Sequence, residues 1–73
     1  MNYAQKLREL REEKELYQKD IAKLLNTTQS YYAQYENGHR PLPAEHIITL
    51  CKFYGVSADY LLGLPENLKY PKR

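Results

Sequence analysis

Apolar residues recur along this chain at intervals of three and four, with no sustained alternation, so the pattern predicts helices and no strands. Tyr3, Leu7 and Leu10 share one face with Ala4 beside them, opposed by Lys6, Arg8, Glu9, Glu12 and Glu13. That is an amphipathic helix of about three turns, and Asn2 with Gln5 occupies the positions of a capping box at its start. Tyr17, Ile21 and Leu24 share the face of a second helix opened by Gln18, which Ala22 and Leu25 extend. Asn26 stands where the chain must turn, and asparagine tolerates the left-handed conformation such a turn needs. Thr28 is placed to cap a third helix, Gln29 to Tyr35, because its hydroxyl accepts from an orphan amide. Tyr32 and Tyr35 lie on the core side of that helix, and Gly38 stops it.

Ile47, Leu50, Cys51 and Tyr54 define a fourth helix from Ala44 to Tyr54, with Pro43 expected in its first turn and Gly55 at its end. Ser57 caps a short fifth helix closed by Gly63, with Val56 stapling onto Leu61. The expectation is an all-α, compact five-helix domain over residues 1–63, followed by a C-terminal tail or linker, 64–73.

Length and composition narrow the function classes. A chain of 73 residues holds one small domain, which buries roughly 60% of its unfolded surface. Charged residues make up 27% and hydrophobic ones 42%, values of a globular domain rather than a disordered tail. There is no apolar run of the roughly 18 residues that a membrane span requires, and Met1 to Lys6 lacks the apolar stretch of a secretory signal. A lone Cys51 makes no internal disulfide, which fits a reducing cytosol and a cytoplasmic protein.

Charge adds a little. The net charge is +2, a weak pointer to a polyanionic partner. Acidic residues crowd Glu9 to Glu15, Gln29 to Tyr35 carries no charge, and His39-Arg40 and Lys69 to Arg73 are basic without acidic company. If DNA is the partner, the acidic end of the first helix should face away from it. His39, His46 and Cys51 lack metal-ligand spacing, and no nucleophile triad, carboxylate pair or phosphate-cradling glycine loop is present. No enzyme, cofactor or metal is expected. Of the eight tyrosines, Tyr3, Tyr17, Tyr32, Tyr35, Tyr54 and Tyr60 fall at core-facing positions and read as structural, leaving Tyr31 open.

The second and third helices carry the function. Two short helices joined by a tight turn, the second uncharged and rich in amides and hydroxyls, outline a helix-turn-helix. The second enters a major groove only if its outer face is slim and able to hydrogen-bond, and Gln29, Ser30, Ala33 and Gln34 meet that condition. The block Leu16-Tyr17-Gln18-Lys19-Asp20-Ile21-Ala22-Lys23-Leu24-Leu25-Asn26-Thr27-Thr28-Gln29, then Tyr35-Glu36-Asn37-Gly38-His39-Arg40-Pro41 and Tyr54-Gly55-Val56-Ser57-Ala58-Asp59-Tyr60-Leu61-Leu62-Gly63, resembles the Cro/repressor-type (Xre-like) helix-turn-helix family over about residues 3–63.

That resemblance implies a sequence-specific double-stranded DNA-binding transcriptional regulator, a repressor acting as a homodimer on a palindromic operator. It assigns base reading to Gln29 and Ser30, with Gln34 one turn on, and leaves Tyr31 available to a thymine methyl or a phosphate. It assigns the DNA backbone to Gln18, Thr28, Asn37, His39 and Arg40, with Lys19, Lys23 and the tail in support. A glutamine carboxamide donates and accepts in parallel with adenine N6 and N7, so Gln29 implies an A·T preference. Arg11 and Glu36 match an internal ion pair, and Tyr17 replaces the usual Ser or Thr cap, a loss of about 1 kcal/mol unless something substitutes. Leu61, Leu62 and Leu64 are candidates for a dimer interface. The alternative is a protein-interaction module, such as a toxin-neutralising antitoxin, that keeps the fold without reading DNA.

Overall fold

A computed structural model describes residues 3–64. They form α1 (Tyr3–Glu13), α2 (Gln18–Leu24), α3 (Gln29–Glu36), α4 (Ala44–Tyr54) and α5 (Ala58–Leu62). The expected order and type of all five helices hold, and α3 runs one residue further than its spacing predicts. Asn2 of the expected capping box and the tail beyond Leu64 lie outside the described residues.

The helices can be this short because each is closed by its own backbone. Among the described residues five have positive φ, Glu15, Asn26, Gly38, Gly55 and Gly63, one just beyond each helix. In every case the amide after the left-handed residue reaches back to the last turn: Leu16 to Arg11, Thr27 to Ala22, His39 to Gln34, Val56 to Cys51 and Leu64 to Asp59, at 2.9–3.1 Å. This Schellman arrangement satisfies carbonyls that a helix end would leave orphaned. Glu15 is the one the sequence pattern does not announce, since a glutamate carries a Cβ into that conformation at a cost of about 1–2 kcal/mol.

Helix starts are equally local. Thr28 Oγ1 accepts from the Tyr31 amide, and Ser57 Oγ from the Tyr60 amide, both at 3.1 Å. At α2 the missing Ser/Thr cap is replaced from the other side, because the Asp20 carboxylate accepts from the Tyr17 amide at 2.8 Å. Pro43 precedes α4 in extended conformation instead of sitting inside its first turn.

One core joins these pieces: Leu7 and Leu10 from α1, Ile21, Ala22 and Leu25 from α2 and its end, Tyr32 and Tyr35 from α3, Leu42 from the following loop, Leu50 from α4 and Leu61 from α5. α1 packs on α3 and α5, α2 on α3, and α4 on α5. The Tyr3 hydroxyl accepts from the Leu42 amide at 2.7 Å, tying the start of α1 to the loop that leaves α3. Tyr17 and Tyr60 do not enter the core but stay 69% and 47% exposed, since a tyrosine at helical spacing can lie flat with its hydroxyl in water. Leu24 is exposed where Leu25 is buried, because α2 turns Ile21, Ala22 and Leu25 inward. Leu61 is wholly buried and so unavailable to an interface, while Leu62 and Leu64 are half-buried.

Candidate nucleic-acid interface

The inner face of α3 fixes the helix in place. Tyr32, Tyr35 and Glu36 are its buried residues, and Tyr32 and Tyr35 meet edge to face at 6.1 Å. The Glu36 side chain is fully buried and receives a fork: Arg11 Nε donates to Oε2 at 2.8 Å and Nη2 to Oε1 at 3.0 Å. Gln18 Nε2 donates to Oε1 at 3.2 Å, and Arg8 Nε stands 3.7 Å from the same atom. Arg11 Nη1 also donates to the Leu16 carbonyl at 2.9 Å. One carboxylate thus joins α1, the lead into α2, the first residue of α2 and the last residue of α3.

Burial alone would raise the Glu36 pKa, but Arg11, Tyr32 and Gln18 together hold it below the ordinary carboxylate value. The Arg11 guanidinium is held above its own ordinary value by the same carboxylate, against the opposing effect of burial. Burial raises the Tyr32 hydroxyl, and the neighbouring Glu36 charge pushes it further.

The outer face of α3 is the opposite. Gln29, Ser30 and Tyr31 are exposed and Gln34 is half-buried, so the residues assigned to base reading form one continuous uncharged strip. Thr28 is exposed beside them, its oxygen already capping the helix. Beyond the helix, Asn37, His39 and Arg40 are exposed on a loop whose His39 and Arg40 amides both donate to the Gln34 carbonyl, at 2.9 and 3.3 Å. The loop therefore folds back against the end of α3 and extends its strip with basic residues. Gln18 lies apart from it, half-buried, with one amide proton committed to Glu36. As the first residue of α2 its main-chain N–H has no helical partner.

Two features of the site escape sequence reasoning. Arg40 Nε donates to Gln34 Oε1 at 2.8 Å. The Arg40 guanidinium also lies 4.6 Å from the centre of the Tyr31 ring, which itself packs edge-on against Tyr35 at 5.7 Å. The only available signal was the short Gly38 turn, which brings residue 40 back over the helix. The acidic end of α1, Glu12 and Glu13, contributes to none of these contacts.

Fold and site together define a helix-turn-helix domain, with α2 as the supporting helix and α3 as the presenting one. The chain belongs to the helix-turn-helix family, whose sequence profile matches residues 7–61; this is a family of DNA-binding regulators and not of enzymes. Among relatives, the uncharacterized HTH-type transcriptional regulator YobD of Bacillus subtilis (strain 168) is 34% identical over 65 residues, covering 89% of this chain and 58% of YobD. The cryptic phage CTXphi transcriptional repressor RstR of Vibrio cholerae is 35% identical over 65 residues, covering 89% of this chain and 59% of RstR. The crystal structure of a transcriptional regulator from Listeria innocua superposes with a TM-score of 0.84 at 29% identity, covering 94% of this chain and 64% of that one. This chain spans somewhat over half the length of the curated relatives it matches. Among the described residues, no helix is long and apolar enough to cross a membrane.

Proposed function

We propose that this chain binds double-stranded DNA by sequence and represses transcription, acting as a homodimer on a palindromic operator in the cytoplasm. The observation that carries the reading is the contrast on α3: a buried face locked by Glu36 and two tyrosines, and an uncharged, hydrogen-bonding face left to solvent. A helix so held presents Gln29, Ser30 and Tyr31 to a major groove at little further entropic cost, with Thr28, Asn37, His39 and the α2 start at Gln18 flanking it for phosphate and Arg40 beside them. The relatives' names, a repressor among them, support regulation as the role. One such domain reads only a few base pairs, so two copies on half-sites about one helical turn, or roughly 34 Å, apart supply the needed specificity.

Selection of bound duplexes from a random library tests this. The reading expects an enriched palindrome with half-sites about ten base pairs apart and an affinity that falls steeply with salt. Absence of enrichment at moderate salt would refute it and return the chain to the interaction-module alternative. A strict monomer by sedimentation, both free and on DNA, would refute the dimer.

A further inference from the structure

The family resemblance gives Arg40 to the DNA backbone, yet the structure holds its guanidinium against the recognition strip. Both ends of the residue are tied to Gln34: the main-chain amide to the Gln34 carbonyl at 3.3 Å, and Nε to Gln34 Oε1 at 2.8 Å. A guanidinium has donors only, so the carboxamide must turn its oxygen toward Arg40. The ring of Tyr31 lies 4.6 Å beneath and restricts the plane of the fork. Tyr31 and Gln34 are three residues apart on α3, so the guanidinium rests along the helix surface between them rather than reaching past its end.

This arrangement separates the two glutamines. The exposed Gln29 keeps both donor and acceptor for a base, whereas Gln34 gives one lone pair of Oε1 to Arg40 and has that oxygen turned toward the loop. Gln34 is therefore less suited than Gln29 to set its oxygen and N–H groups side by side against adenine. Arg40, with Nε committed, directs Nη1 and Nη2 as a two-donor fork, and neither donates to a described residue. Two adjacent acceptors on a base edge are what guanine O6 and N7 present in the major groove.

We propose that Arg40 reads a guanine in each half-site, with Gln34 as its positioning residue and Tyr31 as the platform that fixes its plane. The proposal rests on the reading of α3 as a recognition helix. A pure phosphate contact needs a charge on a long stem but no fixed plane, whereas a bidentate base contact gains from a side chain whose freedom is already lost.

Duplex selection followed by sequencing, run on the wild type, Arg40→Lys and Gln34→Met, tests it, with thermal melts confirming that each surface variant is folded. The wild type should enrich guanine at one position per half-site. Arg40→Lys keeps the charge but loses the fork, so that preference should fall about tenfold, with a loss under about twofold on an unrelated duplex at the same salt. Gln34→Met should weaken the same preference without creating one for another base. Placing 7-deazaguanine, which lacks the N7 acceptor, at that position should weaken the wild type more than Arg40→Lys. A uniform loss on every duplex with an unchanged profile would make Arg40 a backbone contact and overturn the proposal. An unaltered profile in Gln34→Met would remove the positioning role. Wild-type enrichment that no Arg40 variant alters would defeat this inference alone, and no wild-type enrichment would defeat it together with the recognition-helix reading.

Discussion

The two faces of α3 differ in how far their chemistry is used within the chain. On the inner face Glu36 binds Arg11 through two hydrogen bonds and takes a third from Gln18, while Tyr32 and Tyr35 are all but fully buried. On the outer face Gln29, Ser30 and Tyr31 stay exposed, and Arg40 engages Gln34 and the Tyr31 ring. An eight-residue helix is too short to hold itself in water. Its order comes from the inner face and from Thr28, so the outer face is free to vary in sequence without loss of fold. Stability and the recognition proposed for this helix thus fall to residues one position apart, and substitutions should separate them.

The sharpest separation is Glu36→Ala. It leaves the Arg11 guanidinium, only 13% exposed, without its carboxylate, a loss of about 3–5 kcal/mol that urea denaturation should register as near-complete unfolding of so small a domain. A shift under about 1 kcal/mol would show that the pair is a bystander.

Acid probes the same pair. Because the folded Glu36 pKa is depressed, its contribution is complete above the unfolded value of about 4.3 and is lost as pH falls through the folded value. Thermal melts should therefore hold from neutrality to about pH 5 and drop below it. In alkali the sign reverses. Burial pushes Tyr54 up to about 12, so its contribution is present below the unfolded value of about 10 and is lost as pH rises from there through the folded value.

Gln29→Ala tests the outer face. Stability should stay within about 0.5 kcal/mol, while discrimination against the wrong base at one position falls by about 1–3 kcal/mol in competition binding. Equal losses on matched and mismatched duplexes would deny Gln29 a base-reading role. Thr28→Ala is the smallest and mixes both faces: losing the hydroxyl that caps the Tyr31 amide should cost about 1 kcal/mol in denaturant.

What the sequence makes legible follows the range of the forces. Helix boundaries, the Thr28 and Ser57 caps and the left-handed Asn26 depend on residues within one turn, and the structure has the caps and Asn26 where the pattern puts them and the end of α3 within one residue of it. The Arg11–Glu36 pair, 25 residues apart, was legible only through the family resemblance. Contacts that depend on a loop's path were not legible. The Gln34–Arg40 bond needs the turn at Gly38 to be specific, and the Tyr3–Leu42 bond spans 39 residues. Tyr17 and Tyr60 were misplaced because spacing marks a tyrosine as apolar, while its hydroxyl lets it remain outside. The Asp20 cap of α2 is hard to read because the acceptor lies three residues past the cap position, inside the helix it serves.

The central claim is that the outer face of α3 and the loop after it form the DNA surface, and amide chemical-shift mapping tests it most directly. Titrating labelled protein with the selected duplex should move the amides of Thr28 to Tyr31, Gln34 and Gly38 to Arg40, together with that of Gln18, and leave the exposed residues of α4, such as Ile48 and Phe53, unchanged. Shifts confined to α4 and α5, with α3 silent, would contradict it.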